Sequence, residues 1–371
     1  MLAAIVTGFR LKPDSLLGRR LRLSGQRTLD KSLEDCTRQI RLPELLAKAA
    51  QCLGWGGERL MRLRNAWFQK LIPNRALASS DAVIGFDTSS WILAERAKKM
   101  GKPFILERTA IHRSTRALVD ARFGSFGLKA KAEPTAANDA QDALECREIS
   151  LASRVVVASE FSRRSVLDAG VAADKVSAIP YGVDLDWFAG GENKGGAADR
   201  LIFLFVGLLK PEKGIAVLLE AWKQLGARDA ELWLAGSGEA GVLELAQGVP
   251  GVKVMGKLAP AELRQTYQSA SVFVFPTFYD GFGMVLLEAM ASGLPVIASP
   301  NCAAPELTRD SGAGVICPAG DPAALCAAMA DVCANRSAWK NRGVAAREAV
   351  KSHSWESYGR RWAALLREVV G

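Results

Sequence analysis

Asp280-Gly281-Phe282-Gly283-Met284-Val285-Leu286-Leu287-Glu288 sets two carboxylates eight positions apart around a glycine-framed turn and a short apolar run. Residues 271–276 before it read as a strand, and Gly293-Leu294-Pro295-Val296-Ile297 after it leads into another. Strand, loop, helix start and second strand in that order make a βαβ unit. A loop that feeds a helix N-terminus presents unpaired N–H groups and the positive end of the helix dipole. It therefore suits a phosphorylated, hydroxyl-rich ligand. Carboxylates beside it accept hydrogen bonds from sugar and ribose hydroxyls.

The same alternation extends upstream and downstream. Leu201-Ile202-Phe203-Leu204-Phe205-Val206 is an unbroken apolar run, the pattern of a strand buried on both faces. Residues 215–225 follow as an amphipathic helix whose Val217, Leu218, Ala221 and Trp222 share a face. Strands are expected at 231–235, 252–255, 295–298 and 314–317, and helices at 260–269 and 285–292. Asp321 and Pro322 mark the N-cap and first position of a further helix. In the first half, strands are expected at 81–86, 104–107 and 154–158, with helices at 88–100, 145–152 and 162–169. Residues 353–369 read as a helix with Trp355, Tyr358, Trp362, Leu365 and Leu366 in an apolar stripe.

Gly190-Gly191-Glu192-Asn193-Lys194-Gly195-Gly196-Ala197-Ala198 is the best linker candidate. The expected organisation is an N-terminal domain over 1–189, a linker over 190–199, a C-terminal domain over 200–350 and a terminal helix over 351–371. Each domain is α/β with a doubly wound parallel sheet, and ligands would lie at the C-terminal ends of the strands.

Composition agrees with a two-domain α/β enzyme: 371 residues, 49% of them hydrophobic, with 34 glycines and 15 prolines. No run of about 18 uncharged apolar residues spans a membrane, and residues 1–9 lack the pattern of a secretory signal. Cys36, Cys52, Cys146, Cys302, Cys317, Cys326 and Cys333 show no zinc spacing and read as reduced, partly buried thiols of a cytoplasmic protein. The net charge of +9 resides in residues 1–100, which hold 18 Lys plus Arg against nine Asp plus Glu. Arg19-Arg20-Leu21-Arg22-Leu23 and Arg59-Leu60-Met61-Arg62-Leu63-Arg64 mix that charge with apolar residues. A solvated basic face, contact with an anionic membrane surface and contact with a phosphorylated acceptor all fit. No nucleic-acid-binding signature accompanies the charge.

Six ordered segments carry a resemblance. They are residues 159–164 (Ser-Glu-Phe-Ser-Arg-Arg), 175–184, Phe205-Val206-Gly207 with Pro211-Glu212-Lys213-Gly214, Leu234 to Gly238, 280–293, and Ser354-Trp355-Glu356. Over residues 154–366 the chain resembles the retaining glycosyltransferases of family 4. The resemblance implies the GT-B fold, two Rossmann-like domains facing across a cleft, with the C-terminal helix packing back toward the N-terminal domain. It implies transfer of a sugar from a nucleotide-diphosphate donor, a UDP- or GDP-sugar, to an acceptor hydroxyl with retention and without a metal. Cell-surface polysaccharide, lipopolysaccharide or glycolipid synthesis at the inner face of the membrane is the implied setting, with a glycan or lipid-linked acceptor.

Carried over by position, Asp280 occupies the first acidic site, where sugar hydroxyls would bind, and Glu288 the second, for the ribose hydroxyls. Gly281, Phe282, Gly283 and Met284 would bring N–H groups to the sugar and diphosphate. Lys213 matches a phosphate-binding lysine, and Gly207 and Gly236 are strand-end glycines near the diphosphate. A departing diphosphate gains negative charge, so fixed cations and N–H donors favour the transition state. The leaving phosphate itself, rather than Asp280, would serve as base on the face that retention requires. Asp280 stands where the family usually has Glu, which withdraws the carboxylate by about 1.5 Å.

Other departures are visible. Leu208 replaces the family's common phosphate-binding arginine; Lys210 stands in for it partly or is a solvated loop lysine. The chain opens on what resembles the family's second strand, so either the usual first strand and helix are absent or the N-terminal sheet is built differently. His112, a few residues after the 104–107 strand, is a candidate for the histidine that touches the donor sugar, or a surface loop residue. Glu107 and Arg108 are candidates for acceptor contact, and Glu306 for a place near the donor. A non-catalytic nucleotide-sugar binder and, less favoured by the motifs, a sugar-nucleotide epimerase remain alternatives.

Overall fold

The computed structural model describes residues 5–7, 37–40, 42–52, 54, 57–126, 136–189 and 200–371. The basic run at 19–23, Cys36 and the linker expected at 190–199 lie outside the described residues. By its contacts the chain falls into two compact units. One comprises Met1–Glu107, Pro134–Val155 and Leu366–Gly371, and the other Arg108–Glu133 and Val156–Leu365.

Strands β1 (Ile5–Thr7) and β2 (Thr37–Gln39) form a two-stranded parallel sheet. Strands β3 (Val83–Phe86), β4 (Phe104–Arg108), β5 (Arg154–Val157) and β6 (Val176–Ala178) lie in the order β3-β4-β5-β6, with β3 and β4 parallel. The third sheet is built from β7 (Leu201–Val206), β8 (Ala230–Ala235), β9 (Val252–Gly256), β10 (Val272–Phe275), β11 (Val296–Ala298) and β12 (Gly314–Ile316). Its order is β12-β11-β10-β7-β8-β9, and every pair is parallel. The order reverses between β7 and β10, so the loops leaving those two strands diverge at the switch point where such sheets bind ligands.

All six β7 residues are buried, as their unbroken apolar run requires. Phe203, Phe205, Phe273 and Phe275 are at most 1% exposed and form the centre of the core. The helix Ile215–Leu225 covers one face through Val217, Leu218, Ala221 and Trp222, all buried as the spacing predicts, and the Trp222 indole donates to Pro250 O at 2.9 Å. The helix Pro322–Ala334 starts at the expected cap: the Asp321 carboxylate accepts from Ala324 N at 2.9 Å.

The first half departs more from expectation. The helix after β3 starts at Trp91 rather than 88, because the Glu148 carboxylate accepts from Thr88 N and Ser90 N at 2.6 Å each and holds the chain in a turn. The helix read at 145–152 extends back to Ala136. Helices Leu42–Cys52, Glu58–Leu71 and Arg113–Arg122 were not anticipated, and the basic run 59–64 lies in the second of them. In the C-terminal helix Trp355–Val370, Trp362 and Leu365 are buried, but Trp355 is 47% exposed and meets Tyr358 edge-on. Cys52 and Cys146 are exposed rather than partly buried, whereas Cys302 and Cys317 are buried. Among the described residues, no helix is long and apolar enough to cross a membrane.

Candidate functional site

The two loops at the switch point are tied together by main-chain hydrogen bonds. After β7 the chain makes a single helical turn, Pro211–Lys213. The Glu212 carbonyl accepts from Phe278 N at 2.9 Å and from the Thr277 hydroxyl at 3.1 Å. That clamp places Lys213 Nζ 2.5 Å from Asp280 Oδ2, with both side chains about four-fifths buried (19% and 23% exposed). Asp280 Oδ1 accepts from Phe282 N at 3.0 Å. Both oxygens of Asp280 are thus held, one by a cation and one by an N–H, an arrangement that fixes the direction of the carboxylate.

Gly281 lies so close to the 108–112 segment that a Cβ there would sit 2.1 Å from Thr109 O. Gly283, at φ 86°, precedes the helix Met284–Ala291, whose first turn carries Met284. Glu288 lies one turn further along. Its Oε2 accepts from the Tyr267 hydroxyl at 2.8 Å. Burial raises the Glu288 carboxyl above its usual range, and the Tyr267 hydrogen bond opposes that rise. Tyr267 is fully buried and its hydroxyl is pushed well up, by burial first and then by the Glu288 charge.

Gly207 and Gly236 end adjacent strands, β7 and β8, and abut. Gly207 N donates to Ala235 O at 3.0 Å, and at Gly236 (φ 144°) a Cβ would lie 1.8 Å from Gly207 O. No side chain fits between them, so the two strand ends approach backbone to backbone. Lys210 lies 3.7 Å from Glu239 Oε1, a surface pair that holds the lysine only weakly. Leu208 is 51% exposed.

The remaining candidates are placed differently. His112 caps the helix Arg113–Arg122: its Nδ1 accepts from Ser114 N at 3.3 Å and lies 2.8 Å from Ser114 Oγ. Its main-chain N donates to Ser165 Oγ at 3.0 Å. Arg108 ends β4 and is 2% exposed, and Glu107, also buried, accepts from Asp87 N at its carbonyl. Glu306 Oε2 accepts from Glu160 N at 3.1 Å, and desolvation pushes its carboxyl to about 7.

Sequence reading missed several side chains that shape this site. Tyr267 holds Glu288. Ser159 and Ser162 both donate to Gly281 O, at 2.6 and 2.5 Å. Tyr279, next to Asp280, hydrogen-bonds the buried Asp120, and its hydroxyl is raised to about 12, chiefly by burial. Arg116 lies over the Tyr279 ring at 5.7 Å, and Phe123 stacks near Phe278 at 4.7 Å. Ser159 and Ser162 stand in the first of the six ordered segments, at a three-residue spacing that Ser165 continues, but the sequence attaches no role to them.

Charged and N–H groups gather at the switch point of a parallel sheet, the place where α/β proteins bind ligands. Residues 200–335 match the family model described as glycosyl transferases group 1. The fold is GT-B. Among curated proteins the chain is 33% identical over 208 residues to a phosphatidyl-myo-inositol mannosyltransferase of Mycobacterium leprae, covering 54% of this chain and 55% of that one. The chain spans about half the length of the curated relatives it matches. Among solved structures it resembles sucrose-phosphate synthase from Thermosynechococcus elongatus (TM-score 0.69, 22% identity, covering 83% of this chain and 79% of that one). It also resembles Anabaena HepE in complex with UDP (TM-score 0.65, 18% identity, 81% and 82% covered).

Proposed function

We propose that this chain is a retaining glycosyltransferase that moves a sugar from a nucleotide-diphosphate donor to an acceptor hydroxyl. The observation that carries the reading is the Lys213–Asp280 pair, held at 2.5 Å where the loops of β7 and β10 diverge. A lysine there offers a point charge to the diphosphate, and its attraction grows as the glycosidic bond breaks and the leaving oxygen gains charge. Asp280 then accepts from sugar hydroxyls, and Glu288 from those of the ribose. Gly281 to Met284 supply main-chain N–H groups at the helix start. The leaving phosphate takes the proton of the attacking hydroxyl on the same face of the sugar, which accounts for retention without a protein nucleophile. His112 approaches the sugar, Glu107 and Arg108 serve the acceptor, and Glu306 and Lys210 act at the edge of the donor site.

A UDP- or GDP-sugar donor is supported by the UDP bound to HepE and by a GDP-mannose-dependent relative. A glycolipid or polysaccharide acceptor is supported by the name of the mannosyltransferase relative. Calorimetric titration with UDP-, GDP- and ADP-sugars tests the donor assignment. Lys213→Ala and Glu288→Ala should each weaken donor binding while the protein stays folded, and unchanged affinity in both sinks it. Glycosyl transfer detected by mass spectrometry separates an enzyme from a non-catalytic binder, and epimerised donor formed without acceptor would mark an epimerase.

The protein acts, in this reading, at an anionic membrane surface on the cytoplasmic side. Support comes from the helices Leu42–Cys52 and Glu58–Leu71. Leu46, Leu60, Leu63 and Trp67 line a cavity of about 430 Å³ between them, rimmed by Arg64 and Lys70. Exposed leucines and a tryptophan interleaved with Arg and Lys fit the boundary between lipid headgroups and acyl chains.

A further inference from the structure

Three serines face inward along the helix Glu160–Leu167 and its cap. Ser159 is fully buried, and Ser162 and Ser165 are each 1% exposed. Their hydrogen bonds can be followed proton by proton. Ser162 donates its hydroxyl proton to Gly281 O at 2.5 Å, and Ser159 Oγ lies 2.6 Å from the same carbonyl and 3.1 Å from Ser162 Oγ, so its one proton is shared between those two acceptors. Ser159 Oγ in turn accepts from Ser162 N at 3.0 Å, which caps the helix. Ser165 donates to Ser162 O at 2.7 Å and accepts from His112 N at 3.0 Å. Two side chains therefore converge on one peptide group, Gly281–Phe282, and the other end of that peptide is the N–H that grips Asp280 Oδ1 at 3.0 Å.

A peptide is planar, so fixing its carbonyl fixes the direction of its N–H. Asp280 has two anchors, the Lys213 ammonium and the Phe282 N–H. When a diphosphate draws Lys213 away, the Phe282 N–H is the anchor that stays. We propose that Ser159 and Ser162 are positioning residues that lock the Gly281–Phe282 peptide, so that Asp280 keeps its aim at the donor sugar after Lys213 turns to the phosphates. This rests on the donor site proposed above and assigns a role to residues outside it.

Ser162→Ala removes the Ser162 hydroxyl from Gly281 O and from Ser159 Oγ while keeping the main-chain N that Ser159 caps. Ser162→Thr keeps the hydroxyl. Calorimetry compares UDP with UDP-glucose and GDP with GDP-mannose. For whichever pair the wild-type chain binds, Ser162→Ala should lose about tenfold of the extra affinity that the sugar confers. Affinity for the bare diphosphate should stay within about twofold, and Ser162→Thr should restore the sugar increment. Hydrogen exchange at Phe282 N–H should quicken in Ser162→Ala without any ligand present. An unchanged sugar increment, an unchanged exchange rate, or an equal loss for diphosphate and sugar nucleotide overturns the inference. A wild-type chain that binds none of the four compounds is a different result, which overturns the donor reading and this inference with it.

Discussion

The six-stranded sheet and the helical stretch Leu42–Cys52 and Glu58–Leu71 treat apolar residues in opposite ways. In the sheet Phe203, Phe205, Phe273 and Phe275 are at most 1% exposed. In the helices Leu42, Leu45, Leu46, Met61, Leu63, Trp67 and Leu71 are 39–68% exposed. Apolar residues inside a sheet pay for folding and hold loops in place for chemistry. Clustered apolar residues on a surface are costly to leave in water, and in the membrane reading proposed above they are the part that meets lipid. The sheet therefore predicts effects on donor affinity and stability, and the helices predict effects on surface binding. Substitutions in one region should leave the other's readout alone.

The largest expected effect is at Lys213. Its replacement by Ala removes a charge-assisted partner from the diphosphate and leaves Asp280 with the Phe282 N–H alone. Donor affinity should fall by about 2–4 kcal/mol, some 100-fold, with binding to liposomes unchanged. Isothermal titration alongside vesicle sedimentation checks both halves. A parallel loss of vesicle binding would dissolve the division between the two regions.

Gly281→Ala comes next. The new methyl would meet Thr109 O at 2.1 Å, and both neighbours are backbone, so the turn or the 108–112 segment must shift. A cost of about 1–3 kcal/mol is expected, seen as a lower Tm, together with weaker binding of the sugar nucleotide. A wild-type melting temperature in this variant would show that the turn is softer than its contacts indicate.

Glu288→Gln sharpens the comparison within the sheet unit. The folded-state pKa of Glu288 is raised, so its ionisation costs the native protein more than the unfolded chain. That penalty is absent below the ordinary carboxylate pKa of 4.5, grows as pH rises through the interval up to the folded value, and is constant above it. The glutamine variant lacks the penalty. It should melt above wild type at pH 7 and lose that advantage as the pH falls to about 4, while its donor affinity drops. Melting curves from pH 4 to 8 test the sign, and an advantage that grew toward low pH would contradict the burial of a charged carboxylate.

How much of this could be read beforehand follows from the same contrast. The runs 201–206 and 272–275 are buried on both faces, so their apolar continuity announced the strands, and the loops that follow them announced Lys213 and Asp280. The helix Ile215–Leu225 was legible because its buried face repeats at helical spacing. Glu58–Leu71 was not, because Leu63 and Trp67 stay largely exposed at the open cavity they line and no fully buried apolar stripe accompanied its basic residues. The start of the helix at Trp91 depended on Glu148, nearly sixty residues away, which no local pattern encodes. Tyr267, Ser159 and Ser162 were missed for the same reason: each is defined by a partner distant in the chain, Glu288 or Gly281. Sequence periodicity reports which face is buried, whereas the identity of a cross-chain hydrogen-bond partner depends on the folded topology.

The smallest expected effects belong to the surface helices, and they are the ones that would break the comparison most directly. Arg62→Ala removes one charge from a helix whose other basic residues are Arg59, Arg64 and Lys70. Near an anionic bilayer each such charge is worth about 1 kcal/mol, so binding to vesicles containing phosphatidylserine should weaken about fivefold at low salt. Trp67, 44% exposed, adds an apolar term that salt does not screen. Trp67→Ala should therefore lower binding at both low and high ionic strength, whereas Arg62→Ala should matter at low ionic strength alone. Since neither residue belongs to the sheet unit, donor affinity should be unaltered in both variants. Equal sedimentation of the wild-type protein with neutral and anionic vesicles at low salt would remove the membrane reading and leave the exposed leucines to a protein partner. A salt-dependent loss for Arg62→Ala set against a salt-independent loss for Trp67→Ala would instead identify the two forces, charge and apolar burial, that hold these helices at the lipid.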